Sequence, residues 1–216
     1  MSLWQKIVLA IARTCSRGLV SWEVRGKENI PLTGPVIVVA NHVHLLDPAL
    51  LAINFPRWII FMAKEELFRY PFLRILIRWS QAVSVRRKGT IKDKRQVLEQ
   101  GKDILERGLV MGTFPEGKRS REGKLIMGKP GPAVIALRTG VSVLPVGIIG
   151  TERIKWINWP WKRPHIIINI GQPFKFPSVE GRLNRAIMRA STELMMKKIA
   201  ALLPLERQGV YREHGD

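Results

Sequence analysis

Short apolar runs and longer amphipathic stretches alternate along this chain, and their periods predict its elements. Val36-Ile37-Val38-Val39-Ala40 is uninterrupted and stands between Pro35 and Asn41, the pattern of a strand buried on both faces. Trp58 to Ala63, Ala82 to Val85, Leu109 to Phe114, Val143 to Ile149 and Ile166 to Ile170 predict further strands, and Val24-Arg25 before Gly26 a short one. Helical periods fall between them: 48–54, Pro71 to about Trp79, Asp93 to Arg107 with a stop at Gly108, Pro132 to Thr139 closed by Gly140, and Arg182 to Leu203 ended by Pro204. Strands alternating with helices predict an α/β fold, a layered mixed sheet flanked by helices.

Residues 3–20 carry a period of their own. Leu3, Trp4, Ile7, Val8, Ile11 and Cys15 share one helical face; Gln5, Lys6, Arg13, Ser16 and Arg17 lie opposite, with Leu9 out of place. Two placements fit this pattern: a helix lying in the headgroup plane of a membrane, or one docked on the protein's own core. The chain thus divides into an amphipathic, membrane-associating segment over 1–22, one domain over 23–204, and a polar tail over 205–216 that reads as disordered.

Charge changes the picture more than size does. The 216 residues hold 36 Lys and Arg against 17 Asp and Glu, a formal net charge of +19, which calls for an anionic partner. The cations are spread through every region, and no zinc-finger spacing, RNP-like aromatic block or Gly-rich KH loop accompanies them, so a membrane surface is expected rather than nucleic acid. Trp156, Trp159 and Trp161 beside Lys155, Lys162 and Arg163 suit a membrane–water interface; a loop anchor or core position is the plainer reading. No apolar run approaches the ~20 residues of a spanning helix. One cysteine excludes an internal disulfide framework and suits a reducing cytoplasm.

The chemistry gathers at two places. Asn41-His42-Val43-His44-Leu45-Leu46-Asp47 follows the 36–40 run, which puts His42 at a strand end, where α/β sheets place ligand sites. Asp47-Pro48 reads as a helix start, with Asp as N-cap and Pro as first helical residue. An imidazole oriented by a carboxylate is a general base, and its ordinary pKa of ~6.5 suits it to taking a hydroxyl proton. Taken alone, the pair also fits a helix cap beside a structural histidine. No Gly-x-Ser-x-Gly motif supplies a nucleophile, so His42 is expected to act on a substrate hydroxyl directly. His42-x-His44 invites a metal reading, but no cluster at ligand spacing supports one, and no metal or cofactor is expected. The second place is Phe114-Pro115-Glu116-Gly117-Lys118-Arg119-Ser120-Arg121: cations on a glycine turn suit a phosphate, and a solvated basic loop is the alternative.

Together these blocks resemble the glycerolipid acyltransferases typified by 1-acylglycerol-3-phosphate acyltransferase. Lys64-Glu65-Glu66-Leu67-Phe68-Arg69-Tyr70-Pro71 and Val143-Leu144-Pro145-Val146-Gly147-Ile148 extend the resemblance in order and spacing over residues 41–148. It implies an acyltransferase domain over 23–204 that moves a fatty acyl group from an acyl thioester, acyl-CoA or acyl-carrier protein, to the free hydroxyl of a lysophospholipid. The leading acceptor is 1-acylglycerol-3-phosphate, giving phosphatidic acid in phospholipid biosynthesis. By the same resemblance His42 is the base and Asp47 its partner; Glu116, Gly117, Arg119, Arg87 and Lys64 serve the acceptor's phosphate, and Pro145 shapes the wall of the site. The implied location is the cytoplasmic face of a membrane, peripheral or monotopic. Four positions depart from the family pattern: His44 stands for its Ser, Lys118 for its Thr, Arg86 for an acid and Arg74 for a Gly. These changes leave the reaction type standing and bear on the head group. The alternatives are acylation of another lipid or glycerol-phosphate acceptor, and a non-catalytic basic protein binding membrane or nucleic acid.

Overall fold

A computed structural model describes residues 3–65, 82–85, 90–154, 163–177 and 183–212. Among these residues the elements run α1 (Leu3–Leu19), β1 (Ser21–Arg25), β2 (Val36–Ala40), α2 (Asp47–Asn54), β3 (Ile59–Lys64), β4 (Val83–Val85), α3 (Ile91–Glu106), β5 (Val110–Thr113), α4 (Gly131–Thr139), β6 (Val143–Ile149), β7 (His165–Ile170) and α5 (Arg185–Ala200). The strands form one mixed sheet of order β1-β7-β6-β2-β5-β3-β4. β2 to β6 run parallel, while β7 lies antiparallel to β6 and parallel to β1. The α/β layers expected from the alternation are therefore present.

β2 is central, paired to β5 on one side and β6 on the other, with Val38 opposite Gly112 and Val39 opposite Pro145. Its side chains alternate between two cores. Val36, Val38 and Ala40 join Leu50, Leu51 and Ile53 of α2, with Leu9 and Ala12 of α1 packed against them. Ile37 and Val39 join Ile104 and Leu105 of α3, Ala133 and Ile135 of α4, and Met195, Met196 and Ile199 of α5. A strand covered on both faces has no polar positions to offer, hence the unbroken apolar run.

Of the two placements open to α1, the structure shows the docking on the core. Leu9 and Ala12 dock it on the core, and the Arg13 Nε–H donates to the Ile53 carbonyl at 2.8 Å. Leu9, out of place on the sequence stripe, is thus its inward contact. The stripe itself faces outward: Trp4 is 60 % exposed and Ile11 59 %, with Leu3, Ile7 and Cys15 also exposed. No helix among the described residues is long and apolar enough to cross a membrane.

At the start of the parallel strands, one guanidinium closes the sheet. Arg57 donates to the carbonyls of Pro31 (2.9 Å), Thr33 (3.4 Å), Gly34 (2.6 Å) and Gly108 (3.1 Å), which precede β2 and β5.

Several boundaries moved, for local reasons. Helix α3 begins earlier than expected because Thr90 and Asp93 form a capping box ahead of it. The N-cap of α5 is Asn184, whose Oδ1 accepts the Ile187 N–H at 2.9 Å, so the helix starts three residues after Arg182. Within the 205–216 segment read as a disordered tail, the described residues form two 3-10 turns, Leu205–Arg207 and Gly209–Tyr211. The helix expected over Pro71 to Trp79, together with Trp156, Trp159 and Trp161, lies outside the described residues.

Candidate active site

The parallel strands end together, and their C-terminal ends carry the chemistry, as the fold class leads one to expect. Just past β2, the Asn41 side chain bridges to β6: its Nδ2 donates to the Ile148 carbonyl at 2.8 Å and its Oδ1 accepts the Ile148 N–H at 2.7 Å. The next residue is thereby held at the sheet's edge. His42 Nδ1 lies 2.8 Å from Asp47 Oδ2. With the proton on Nδ1, Nε2 keeps its lone pair free to accept one.

Asp47 is not the helix cap that Asp-Pro suggested. The N-cap is Leu46, and Asp47 is the first residue of α2. Its carboxylate turns back, so that Oδ2 also accepts the backbone N–H of Val43 and of His44, each at 2.7 Å. The side chain is fully buried, and Oδ1 has no hydrogen-bond partner among the described residues. A buried carboxylate holding three donors at a helix N-terminus is well placed to balance an imidazolium. The imidazole face is fixed as well: Phe114 stacks on it with centroids 4.2 Å apart and planes at 25°, and Phe61 backs Phe114. Only 13 % of the His42 side chain is exposed.

Glu116 takes a place the motif did not suggest. Its side chain is buried, and the residue only 2 % exposed. Oε1 accepts the His42 N–H at 2.7 Å and Oε2 the Ile126 N–H at 3.0 Å. Both oxygens are used within the protein, so Glu116 ties the basic loop to the strand end. Burial pushes its carboxyl up to about 7; the two N–H donors oppose that rise and the charge of Asp47 adds to it. Ser120 completes the tie, its N–H donating to the His42 carbonyl at 2.8 Å.

Gly117 turns the loop with φ 68° and donates its N–H to the Phe114 carbonyl at 2.9 Å. A Cβ there would meet only the mobile end of the Lys129 side chain, so it is the left-handed turn that favours glycine. Beyond it Lys118 and Arg119 are exposed. His44 Nδ1 accepts the Leu46 N–H at 3.2 Å, which places its ring proton on Nε2. Burial holds this imidazole below its usual range; Asp47 opposes the shift, while Arg119 and His42 reinforce it. Both His42 Nδ1 and His44 Nδ1 are therefore occupied by protein partners.

Other site residues expected from the motifs fall elsewhere. Pro145 sits in β6 opposite Val39, on the face shared with α3, α4 and α5, and its carbonyl accepts the Gly171 N–H at 2.9 Å. His42 continues the opposite face, so Pro145 is not brought to it. Lys64 ends β3. Arg87, with Arg86 and Arg74, lies outside the described residues. Phe114, Asn41 and Ser120 were not singled out for the roles they play here; the Phe-Pro-Glu-Gly string was the one available signal for Phe114. The backbone N–H groups of His42, Val43 and His44 are all engaged by carboxylates, so the oxyanion of an acyl transfer must find its donors elsewhere.

A mixed α/β sheet with a His-x4-Asp dyad and a cationic glycine turn at its C-terminal end agrees with the resemblance to the acyltransferases. The chain belongs to the Acyltransferase family, whose sequence profile matches residues 21–149. It is 34 % identical over 129 residues to the 1-acyl-sn-glycerol-3-phosphate acyltransferase of Borreliella burgdorferi, across 60 % of this chain and 51 % of that protein. It is 29 % identical over 170 residues to the lysophospholipid acyltransferase LPCAT4 of Homo sapiens, across 76 % of this chain and 31 % of that protein. The chain therefore spans about half or less of these curated relatives. The crystal structure of the 1-acyl-sn-glycerophosphate (LPA) acyltransferase PlsC from Thermotoga maritima is similar over 92 % of this chain and 78 % of that one, with TM-score 0.67 and 30 % identity.

Proposed function

We propose that this protein transfers a fatty acyl group from an acyl thioester, carried by CoA or an acyl-carrier protein, to the free hydroxyl of 1-acylglycerol-3-phosphate. The observation that carries the reading is the His42–Asp47 dyad, whose Nε2 has no hydrogen-bond partner among the described residues, tied through Glu116 to the loop that presents Arg119. His42 Nε2 takes the hydroxyl proton as the oxygen attacks the thioester carbonyl. The tetrahedral adduct then expels the thiolate, which recovers that proton from the imidazolium. Asp47 keeps the ring oriented and balances its transient charge. Arg119, with Lys118 beside it, grips the acceptor phosphate and so orients the hydroxyl. The motif resemblance assigns Arg87 and Lys64 to the same head group. Glu116 serves this site by holding the loop rather than by touching phosphate.

The acceptor's class follows from charge. A phosphate monoester suits an exposed pair of cations, whereas a choline lipid would bring like charge to Lys118 and Arg119. The outward apolar stripe of α1 and the net charge of +19 support attachment to an anionic membrane surface; the motif resemblance adds the cytoplasmic face, with the protein peripheral or monotopic. Labelled acyl-CoA and acyl-carrier protein, offered with lysophosphatidic acid, lysophosphatidylcholine or glycerol 3-phosphate, test the reading. Transfer should be fastest to lysophosphatidic acid and vanish in His42→Ala. Absence of transfer to every acceptor by folded protein refutes it, and a choline preference refutes the acceptor.

A further inference from the structure

Residues 117–130, which carry Arg119, contain no helix or strand. An irregular segment of that length holds one conformation only when its backbone is pinned. On the inner side the pins are the Glu116 carboxylate, the Ser120 N–H on the His42 carbonyl, and the Lys129 N–H on the Pro115 carbonyl at 2.8 Å.

On the outer side the pins come from residues beyond the family match. The Leu125 N–H donates to the Arg207 carbonyl at 2.8 Å, and the Leu125 carbonyl accepts the Val210 N–H at 3.4 Å. The Gly128 N–H donates to Tyr211 Oη at 2.9 Å. The Arg207 guanidinium reaches the Gly123 carbonyl at 3.4 Å and Glu152 Oε1 at 2.8 Å. Glu152 Oε2 in turn accepts the Gly150 N–H at 3.0 Å, just past β6. Gly209 lies so close that a Cβ on it would collide with the Leu125 carbonyl. Leu205 and Val210 remain exposed, while the Tyr211 ring packs against the core shared with α3, α4 and α5; its hydroxyl, the Arg207 side chain and the backbone of the turns reach the loop.

We propose that the two C-terminal turns form a clasp that positions the cationic loop, with Arg207 and Tyr211 acting through Arg119 on acceptor binding. The inference rests on the reading of Arg119 as the ligand of the acceptor phosphate. Loosening the clasp leaves His42, Asp47 and the β2 end in place, because Glu116 and Asn41 hold those independently. It lets Arg119 sample positions that do not meet the phosphate. The cost therefore appears in the acceptor's KM and spares the donor's.

The variants are Tyr211→Phe, which removes the acceptor of the Gly128 N–H, and Arg207→Ala, which releases Gly123 and Glu152. With full-length protein, KM for lysophosphatidic acid should rise about 2–10-fold in the first and about tenfold or more in the second, the usual worth of one hydrogen bond and of a charged set. KM for acyl-CoA should stay within about twofold. Amide exchange of residues 123–128 should quicken while that of β2 and β5 does not. The paired swap Glu152→Arg with Arg207→Glu should recover part of the acceptor KM lost in Arg207→Glu alone, since opposite charges then face each other again. Should Arg207→Ala fail to fold, Tyr211→Phe, a change of one oxygen, carries the test. An unchanged acceptor KM in a folded clasp variant, or exchange no faster at 123–128, overturns the proposal. Arg119→Ala, measured alongside, separates the two claims. If it raises the acceptor KM while the clasp variants do not, the clasp alone fails; if it leaves that KM unchanged, the head-group reading fails.

Discussion

Replacing Asp47 with asparagine probes the chemistry by exchanging one oxygen for an amide nitrogen. Oδ2 holds His42 Nδ1–H and two backbone N–H groups at 2.7–2.8 Å. Asparagine keeps these donors only if its oxygen takes that place, which turns its NH2 to where Oδ1 finds no partner. Each charge-assisted bond made neutral loses roughly 1 kcal/mol, and a buried unpaired donor costs about 1–3 kcal/mol. Relief of burying a charge offsets part of this, so a loss of about 2–5 kcal/mol is expected, or about 5–15 °C in Tm for a chain of this length. The kinetic effect is larger. Two unit charges about 4 Å apart at an effective dielectric of about 20 interact by about 4 kcal/mol. That is the stabilisation the imidazolium loses, and it corresponds to about 10³-fold in rate. Single-turnover acyl transfer at saturating lysophosphatidic acid, on protein shown to be folded by circular dichroism, measures it. A folded Asp47→Asn protein within tenfold of the native rate would refute the assignment of Asp47 as partner of the base.

Further expectations concern the loop, the buried acid and the first helix. Arg119→Ala should raise the acceptor KM about 10–100-fold, and Arg119→Lys should recover only part, since an ammonium cannot form the two-bond fork; initial rates against acceptor concentration decide. The folded-state pKa of Glu116 stands above its unfolded value, so the native state holds the proton more tightly. Its contribution to stability is full below pH 4.5 and is lost as pH rises through about 7. That amounts to about 3 kcal/mol at most. Glu116→Gln should flatten this slope in urea melts at pH 4.5 to 8, and an unaltered slope counts against the buried acid. Gly117→Ala should lose about 1–2 kcal/mol from the left-handed turn alone, read in the same melts. Leu3→Glu with Ile11→Glu should lower binding to anionic vesicles with little change in Tm, because both side chains are exposed; unchanged co-sedimentation would remove α1 from the membrane contact.

What the sequence disclosed follows from where each cause lies. β2 and β6 were bounded to the residue because burial on both faces leaves an unbroken apolar run ended by polar or turn residues. His42 and Asp47 could be paired because four intervening residues bring strand end and helix start together. Their geometry could not, since Asp-Pro at a helix start looks alike whether the carboxylate caps the helix or turns back onto the preceding loop. Glu116 was assigned to the phosphate by the motif resemblance; its donors belong to residues 42 and 126, and no local pattern reveals an N–H delivered from a distant part of the chain. Pro145 was misplaced for a related reason: a motif gives position along a strand, whereas the face depends on register with β2. The C-terminal turns read as disordered because their polar residues lack a period, yet that polarity is used on the loop backbone.

Arg57 separates two tasks that many enzymes must perform with the same residues. It gathers four carbonyls at the entry of β2 and β5, and the site lies at their exit, roughly 15 Å away at the rise of a five-residue strand. Mutations near Arg57 can alter the protein's lifetime without touching the chemistry, because energies at that separation with no shared partner add rather than couple. Selection for heat resistance and selection for a new acceptor can then proceed on opposite rims of one sheet, each with little interference from the other. An engineer seeking a hardier catalyst should begin at the end where nothing reacts.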